Sequence, residues 1–258
     1  MAQTIAVLSQ KGGTGKTTTV RTLTDVLRRI GVRTLAVDLD PQGNLSDYFD
    51  LPPDSEPTVA DVLSGSAEAR EAIHNGVIPA SLNLAETELM LGGRIGREMT
   101  LRRALAGVQE DWEIVLVDCP PSLGLLTVNA LVAADYALVT AEAQYFALQG
   151  VEQAMEVIEI ARDSLNDELA LIGVLLNLAD MRTVHSREAK VSLKERFGDG
   201  VFDTVVRGSI AYAESAERAV SILDHRPDLG ADYVAVTDEL LERLPGMGDA
   251  RARLAQLR

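Results

Sequence analysis

Cysteine is nearly absent: Cys119 is the only one in 258 residues. No intramolecular disulfide can brace the chain, and a reducing compartment is the expected setting. No uninterrupted apolar stretch approaches the ~18 residues that a membrane-spanning helix needs. The amino terminus runs into a strand-like segment without the basic, then apolar, leader of a secreted protein. These absences predict a soluble intracellular protein. Positive charge is in deficit as well: 24 Lys and Arg face 39 Asp and Glu, for a formal charge of -15 and a pI near 4.6. A protein that coats nucleic acid with its whole surface is thereby disfavoured, and only a local basic patch remains open. There is no repeat, low-complexity tract or interdomain linker. Residues 1–258 are therefore expected to form one domain, with a core over about residues 3–245 and a tail at 246–258.

What is present is hydrophobic material, 47% of the chain, in short runs that alternate with amphipathic segments. That alternation predicts a parallel sheet wrapped in helices. Thr4–Leu8, Thr34–Asp38, Ile114–Val117, Tyr136–Thr140 and Leu171–Leu176 are the principal candidate strands, with Leu82–Ala85, Val201–Val206 and Val220–Leu223 behind them. Helical spacing marks Thr17–Ile30, Arg97–Val108, Val151–Ala161, Ala189–Phe197 and Tyr233–Leu244, with shorter helices at Val59–Leu63 and Ala67–Ile73. Residues 41–57 hold four of the nine prolines and predict a mobile loop.

The most specific signal is Gln10-Lys11-Gly12-Gly13-Thr14-Gly15-Lys16-Thr17-Thr18, set between a strand and a helix. Glycines let the backbone curl so that its N–H groups point at phosphates, and the following helix adds the positive end of its dipole. Lys16 is expected to reach the β- and γ-phosphates and the Thr17 hydroxyl to ligate Mg²⁺. The usual pattern opens with a glycine six residues before its lysine; here Gln10 stands there, followed by a second lysine, Lys11. Asp118 ends the run Ile114–Val117 and is the second expected Mg²⁺ group, because open α/β sheets bind ligands at the carboxyl ends of their strands. Asp38 and Asp40 end another run. Asp40 is placed to orient an attacking water or join the metal site, and Asp38 to support the metal or the loop. Both are also residues that turns before Pro and Gly favour. Cys119 is best read as a packed, inert thiol. The fold class expected is α/β, a single-domain P-loop NTPase with a mostly parallel twisted sheet flanked by helices, using ATP and Mg²⁺.

Taken together, Lys11–Thr19, Asp38–Asn44, Asp118–Leu131 and Tyr145–Leu148 resemble the ParA/MinD family of deviant Walker A ATPases, and within it the Soj-like ParA branch. The resemblance implies a homodimer that sandwiches ATP, with Lys11 crossing to the partner's phosphates. It gives Asp40 the water-orienting role, Asp118 the Mg²⁺-linked role, and Asn177 a candidate adenine contact; a loop asparagine that bonds its own backbone is the plainer alternative. Gly12, Gly13, Thr14, Gly15 and Thr18 complete the nucleotide-binding set. It further implies slow ATP hydrolysis stimulated by a ParB-like or other cargo-adaptor protein, nonspecific double-stranded DNA binding by the ATP-bound dimer, and a cytoplasmic, nucleoid-associated location without stable membrane insertion.

Residues 182–196 supply the candidate DNA patch: Arg182, Arg187, Lys190, Lys194 and Arg196 against Glu188 and Glu195. A sequence-independent phosphate contact needs little more. The family's usual arginine further on is not cleanly present in Val206-Arg207-Gly208-Ser209-Ile210-Ala211, which leaves Arg207 and Arg218 as substitutes. Gln144 and Gln149 also replace glutamates common in Soj-like relatives. Two competing readings are a MinD-like membrane-associated regulator, which requires an amphipathic carboxyl-terminal helix, and an ATP-switched regulatory protein. The tail offers Arg251, Arg253 and Arg258, with Met247, Leu254 and Leu257 as its large apolar groups.

Overall fold

Alternation inside each strand decides which layer each side chain joins. In a computed structural model, β1 (Gln3–Leu8) sends Ile5 and Val7 to one face and Ala6 and Leu8 to the other, all without solvent exposure. β4 (Ile114–Asp118) repeats the division, with Ile114 and Leu116 on the first face and Val115 and Val117 on the second. Such two-sided burial is what a parallel sheet with helices on both faces demands. The structure describes residues 2–52, 55–144 and 146–257. Tyr145 of the expected family segment, Arg258 of the tail and residues 53–54 of the proline-rich loop lie outside them.

The remaining strands are β2 (Thr34–Asp38), β3 (Val77–Ile78), β5 (Tyr136–Glu142), β6 (Ala170–Ala179) and β7 (Val201–Arg207). They form a single α/β domain around one sheet of order β3-β2-β4-β1-β5-β6-β7, with every neighbouring pair parallel. One face is covered by α1 (Lys16–Arg29) and α11 (Pro227–Arg243). The other carries α3 (Val59–Ser64), α4 (Asn83–Leu91), α5 (Thr100–Ala106), α6 (Leu125–Ala133), α7 (Ala147–Ser164) and α8 (Val184–Phe197). α2 (Asn44–Tyr48), α9 (Ala211–Glu217) and α10 (Ile222–His225) lie in the connections, and α12 (Gly248–Leu254) packs Ala250 and Leu254 into the α1–α11 layer.

Three expected elements differ. Leu82–Ala85 is no strand; it opens α4, where Leu84 and Leu91 are buried two turns apart and the run of Glu, Leu and Met favours a helix. Val220–Leu223 gives way to α10, because the Ser221 hydroxyl accepts from the Leu223 N–H and caps a helix there. Ala67–Ile73 is a series of turns, with short bonds such as Glu71 N–H to Glu68 O in place of helical ones. The loop at 41–57 contains α2, and the two-residue β3 lies below the length at which alternation shows.

Gly173 in the interior of β6 has a packing cause. A Cβ there would stand 2.5 Å from both the Phe202 ring and the Arg243 guanidinium, which itself stacks 4.1 Å over that ring. Phe202 is fully buried and cannot yield. Gly173→Ala should therefore lower stability by roughly 1–3 kcal/mol, measured as the urea midpoint; an unchanged midpoint would show that the ring has room to move.

Candidate active site

The turn after β1 owes its shape to Gly13 and Gly15, at φ +77° and +83°, a region that side chains disfavour. Gly15 also serves as the N-cap of α1 and provides no capping side chain, and no acidic residue sits in the first turn. The first N–H groups of α1 are thus left without a side-chain acceptor, the arrangement that suits an anion. Behind the loop, Thr14 Oγ1 bonds Ser9 Oγ at 2.8 Å and Thr140 Oγ1 at 3.0 Å. The Asn177 amide donates to Thr14 O at 3.0 Å and to Thr19 Oγ1 at 3.2 Å. A Cβ on residue 15 would lie 2.8 Å from that amide. Asn177, the expected adenine contact, is thus turned onto the back of the loop, 1% exposed, and its Oδ1 is buried without a donor.

Lys16 is buried and folded against its own loop, donating to Ser9 Oγ at 3.0 Å and to the Lys11 carbonyl at 3.3 Å. Burial lowers its pKa, and the neighbouring charges of Asp118, Cys119 and Asp40 oppose that shift. Lys11 behaves differently: it is exposed, and its ammonium stands 5.1 Å over the Phe146 ring.

Strand register assembles the acids. Asp38 and Asp118 pair directly across β2 and β4, and Asp118 pairs with Val7 of β1, two residues before Ser9. Asp38 accepts from Asp40 N at 3.1 Å, Ser46 N at 2.9 Å and Ser46 Oγ at 2.7 Å, so it holds the loop that carries Asp40. Burial pushes its carboxyl up to about 6 in spite of those bonds. Asp118 is wholly buried, and its oxygens meet no hydrogen bond of normal geometry, although the Thr17 hydroxyl is close enough to favour its charged form. Burial, followed by the charge of Asp38, raises its pKa well above the carboxylate range. Asp40, nearly buried, accepts from Gln42 N at 3.0 Å. An orphaned carboxylate beside a second acid and the Thr17 hydroxyl is a donor set that fits Mg²⁺, a hard cation that takes oxygen ligands. The Cys119 thiol is buried and its pKa raised by that burial, consistent with an inert group.

A groove of about 680 Å³ opens over the loop, lined by Gly13, Lys16, Thr17, Thr18 and Asp40. Arg21, Tyr48 and Tyr212 also line it, and sequence reasoning missed all three. Arg21 donates to Tyr212 O at 2.5 Å and Ser215 Oγ at 3.0 Å and lies 4.5 Å from the Tyr48 ring; the Tyr48 hydroxyl donates to Asp25 at 2.5 Å. The available signal was helical spacing, since residue 21 follows Thr17 by four and shares its face.

The basic candidates are dispersed. Arg182 is clamped by Asp180 at 2.8 and 2.9 Å, Arg187 donates to the Met181 and Arg182 carbonyls, and Lys190 donates to Asp203 O. Lys194 pairs with Asp203 at 2.6 Å and Arg196 with Glu152 at 3.3 Å. Arg207 is held by Asp232 at 2.9 Å, while Arg218 is exposed with no acceptor among the described residues. Three of the five cations along 182–196 are thus offset by acids outside that stretch, while Arg187 and Lys190 bond neutral carbonyls and keep their charge.

Loop, helix terminus and paired strand-end acids on a parallel sheet define a P-loop NTPase. Residues 2–171 match the family described as an AAA domain. The sporulation initiation inhibitor protein Soj of Bacillus subtilis is 37% identical, over 88% of this chain and 92% of its own. The chromosome partitioning protein ParA of Caulobacter vibrioides is 36% identical, over 93% and 94%. Among solved structures, cobyrinic acid a,c-diamide synthase from Mycobacterium smegmatis with bound ATP analogue and magnesium is 37% identical, with a TM-score of 0.77 over 87% of this chain and 96% of that one. The chain belongs to the ParA/MinD/CobQ superfamily of deviant Walker A P-loop ATPases. It is an ATPase.

Because Asp38 and Asp118 have raised pKa values, the metal-free fold is favoured below their unfolded values and loses that advantage as pH rises through about 6 and beyond. Asp118→Asn should therefore raise the metal-free Tm at about pH 8 by a few degrees, with a smaller gain near pH 5, since ~1 kcal/mol shifts a chain of this size by roughly 2–4 °C. A variant less stable than the parent at both pH values would show that the carboxylate is already satisfied.

Proposed function

We propose that this chain is a ParA-type switch: it binds ATP and Mg²⁺, dimerises around the nucleotide, binds duplex DNA without sequence preference, and hydrolyses ATP slowly until a ParB-like or other cargo adaptor accelerates it. The observation that carries the reading is the division between the two lysines. Lys16 is buried beside Asp118 and serves its own loop, whereas Lys11 is exposed and rests over Phe146, available to a second subunit's phosphates. On this reading Lys16 leaves Ser9 and the Lys11 carbonyl for the β- and γ-phosphates, and Gly12, Gly13, Thr14, Gly15 and Thr18 cradle them with backbone N–H groups. Thr17, Asp118 and Asp40 hold the metal site, where bound Mg²⁺ would neutralise charge between the phosphates. Asp40 orients the attacking water, and Asn177 keeps the loop in shape for an adenine seated in front of it. A cytoplasmic, nucleoid-associated location follows from DNA binding.

Two other activities have less support. In the MinD-like reading the tail must free an apolar face for a membrane, yet Met247, Ala250 and Leu254 are packed in the core. Arg251 pairs with Asp238 and Glu242, and Arg253 donates to Ile30 O. No helix among the described residues is long and apolar enough to cross a membrane. The diamide synthase activity named for the Mycobacterium smegmatis protein has no residue described above to favour it.

Asp40→Ala should bind ATP normally, cease turnover and elute as a trapped dimer in ATP, while Lys11→Ala should bind ATP yet stay monomeric. Normal dimerisation and hydrolysis by the Lys11 variant, on size-exclusion chromatography and phosphate release, would remove the shared-site reading.

DNA retention should require ATP and fall steeply with salt, because counterion release dominates nonspecific binding. Arg182→Glu with Lys190→Glu should abolish retention on filters and leave dimerisation intact. If retention persists in that variant and disappears in Arg218→Glu, the contact belongs to the end of α9. ATP-dependent dimers that never bind DNA, with turnover indifferent to it, would favour an ATP-switched regulatory protein.

A further inference from the structure

Away from the phosphate loop, where the chain returns to the amino ends of β3 and β4, a groove of about 540 Å³ lies between α3 and α5 and shares no lining residue with the nucleotide groove. Four arginines line it, Arg70, Arg94, Arg97 and Arg103, with Glu68 as the one lining acid among the described residues. In a chain of net charge -15 this is a concentration of the scarce sign. Two of these cations are held by backbone carbonyls, as Arg187 and Lys190 are in the candidate DNA patch. Arg94 donates to Ser64 O at 2.9 Å and Arg70 to Gly107 O at 3.3 Å, backbone carbonyls that fix a guanidinium without cancelling its charge. Arg70 and Arg97 also meet Asp111 and Glu98, whereas neither Arg103 nor the adjacent Arg102 has an acceptor among the described residues. Gly96, at φ +71°, makes room for Arg103, whose Nη2 would lie 3.2 Å from a Cβ there.

Among the arginines stands a large apolar side chain: Ile95, 104% exposed, lines the groove between Arg94 and Gly96. Val62, Leu63 and Val108 give the groove an apolar floor. The surface is preformed, because Asn129 Oδ1 of α6 accepts from Leu101 N at 3.2 Å and Glu88 of α4 accepts from Leu126 N at 3.3 Å, tying α4 and α5 to α6. Arginines over an apolar floor, with the exposed Ile95 among them, are the composition of a protein-docking patch. Duplex DNA would engage the cations and leave Ile95 in water. We infer that the α3–α5 groove docks an acidic segment of a partner protein in which carboxylates alternate with aliphatic side chains: the carboxylates meet Arg94 and Arg103 as forked pairs, and the aliphatics cover Ile95 and the floor of Val62, Leu63 and Val108.

The test uses the full chain and two fluorescein-labelled peptides, one of glutamate, leucine and serine, the other with each glutamate replaced by glutamine, followed by anisotropy at low and high salt. The acidic peptide should bind, weaken as salt screens the pairs, and exceed its neutral twin by at least ~10-fold. Arg94→Glu with Arg103→Glu should lose at least ~10-fold in that affinity while ATP turnover is unchanged. If the loss of the Arg94 bond to Ser64 disturbs folding, Arg103→Glu with Ile95→Ser, at two side chains without acceptors, gives the same reading. The inference is overturned if the acidic peptide fails to bind at low salt, if the neutral peptide binds as well, if the arginine variants keep parental affinity, or if the only polyanion sensitive to these substitutions is duplex DNA.

Discussion

Asp38 and Asp118 lie side by side in the register of β2 and β4, both without solvent exposure, with Lys16 as the nearby cation. Two carboxyls cannot share so dry a place fully ionised at low cost. The surrounding structure manages this unequally. Asp38 receives three hydrogen bonds from the loop that follows it, and Asp118 has only the nearby Thr17 hydroxyl, outside normal hydrogen-bond geometry. The first is structural because it is satisfied. The second keeps acceptor capacity that the proposed Mg²⁺ site would use.

The same unequal treatment organises the rest of the centre. Asp38 sets the position of Ser46, and Ser46 Oγ accepts from Ala80 N, so the loop bearing Asp40 is anchored to the segment after β3. Asn177 and Thr140 brace the phosphate loop from β6 and β5. Arg21, Tyr48 and Asp25 connect α1 and α2, and Arg21 reaches α9 through Tyr212. α2, α9 and β6, which flank the groove, are thus bonded to α1 or to the phosphate loop.

Charge is distributed with comparable economy. With acids in excess, most arginines are drawn into pairs, as Arg207 is by Asp232 and Arg251 by Asp238. Others, such as Arg94 and Arg187, are held by carbonyls alone, and Arg102, Arg103 and Arg218, whose side chains meet no acceptor among the described residues, stand out for that reason rather than for their position in sequence. A run of basic residues is a poor guide to a basic surface when aspartates from other strands and helices can reach it.

The sequence by itself determined the sheet, the phosphate loop and the acids at strand ends, because each depends on neighbours a few residues away: alternation makes the strand, glycines the turn, and a carboxyl end of β4 cannot place Asp118 elsewhere. Short elements escaped it. Leu82–Ala85 and Val220–Leu223 read as strands by pattern yet fold into α4 and α10, since four residues of mixed apolar pattern do not separate the two periods. Only the tertiary structure decided that Asn177, 163 residues beyond Thr14, would brace the loop, and that Arg21 would bond Tyr212, 191 residues away. It also drew Arg182, Lys194 and Arg196 into ion pairs and gathered Arg70 with Arg94 and Arg103 around one groove. Side-chain contacts between distant segments follow from how helices pack across a sheet, and no local pattern encodes which acid a given arginine will meet.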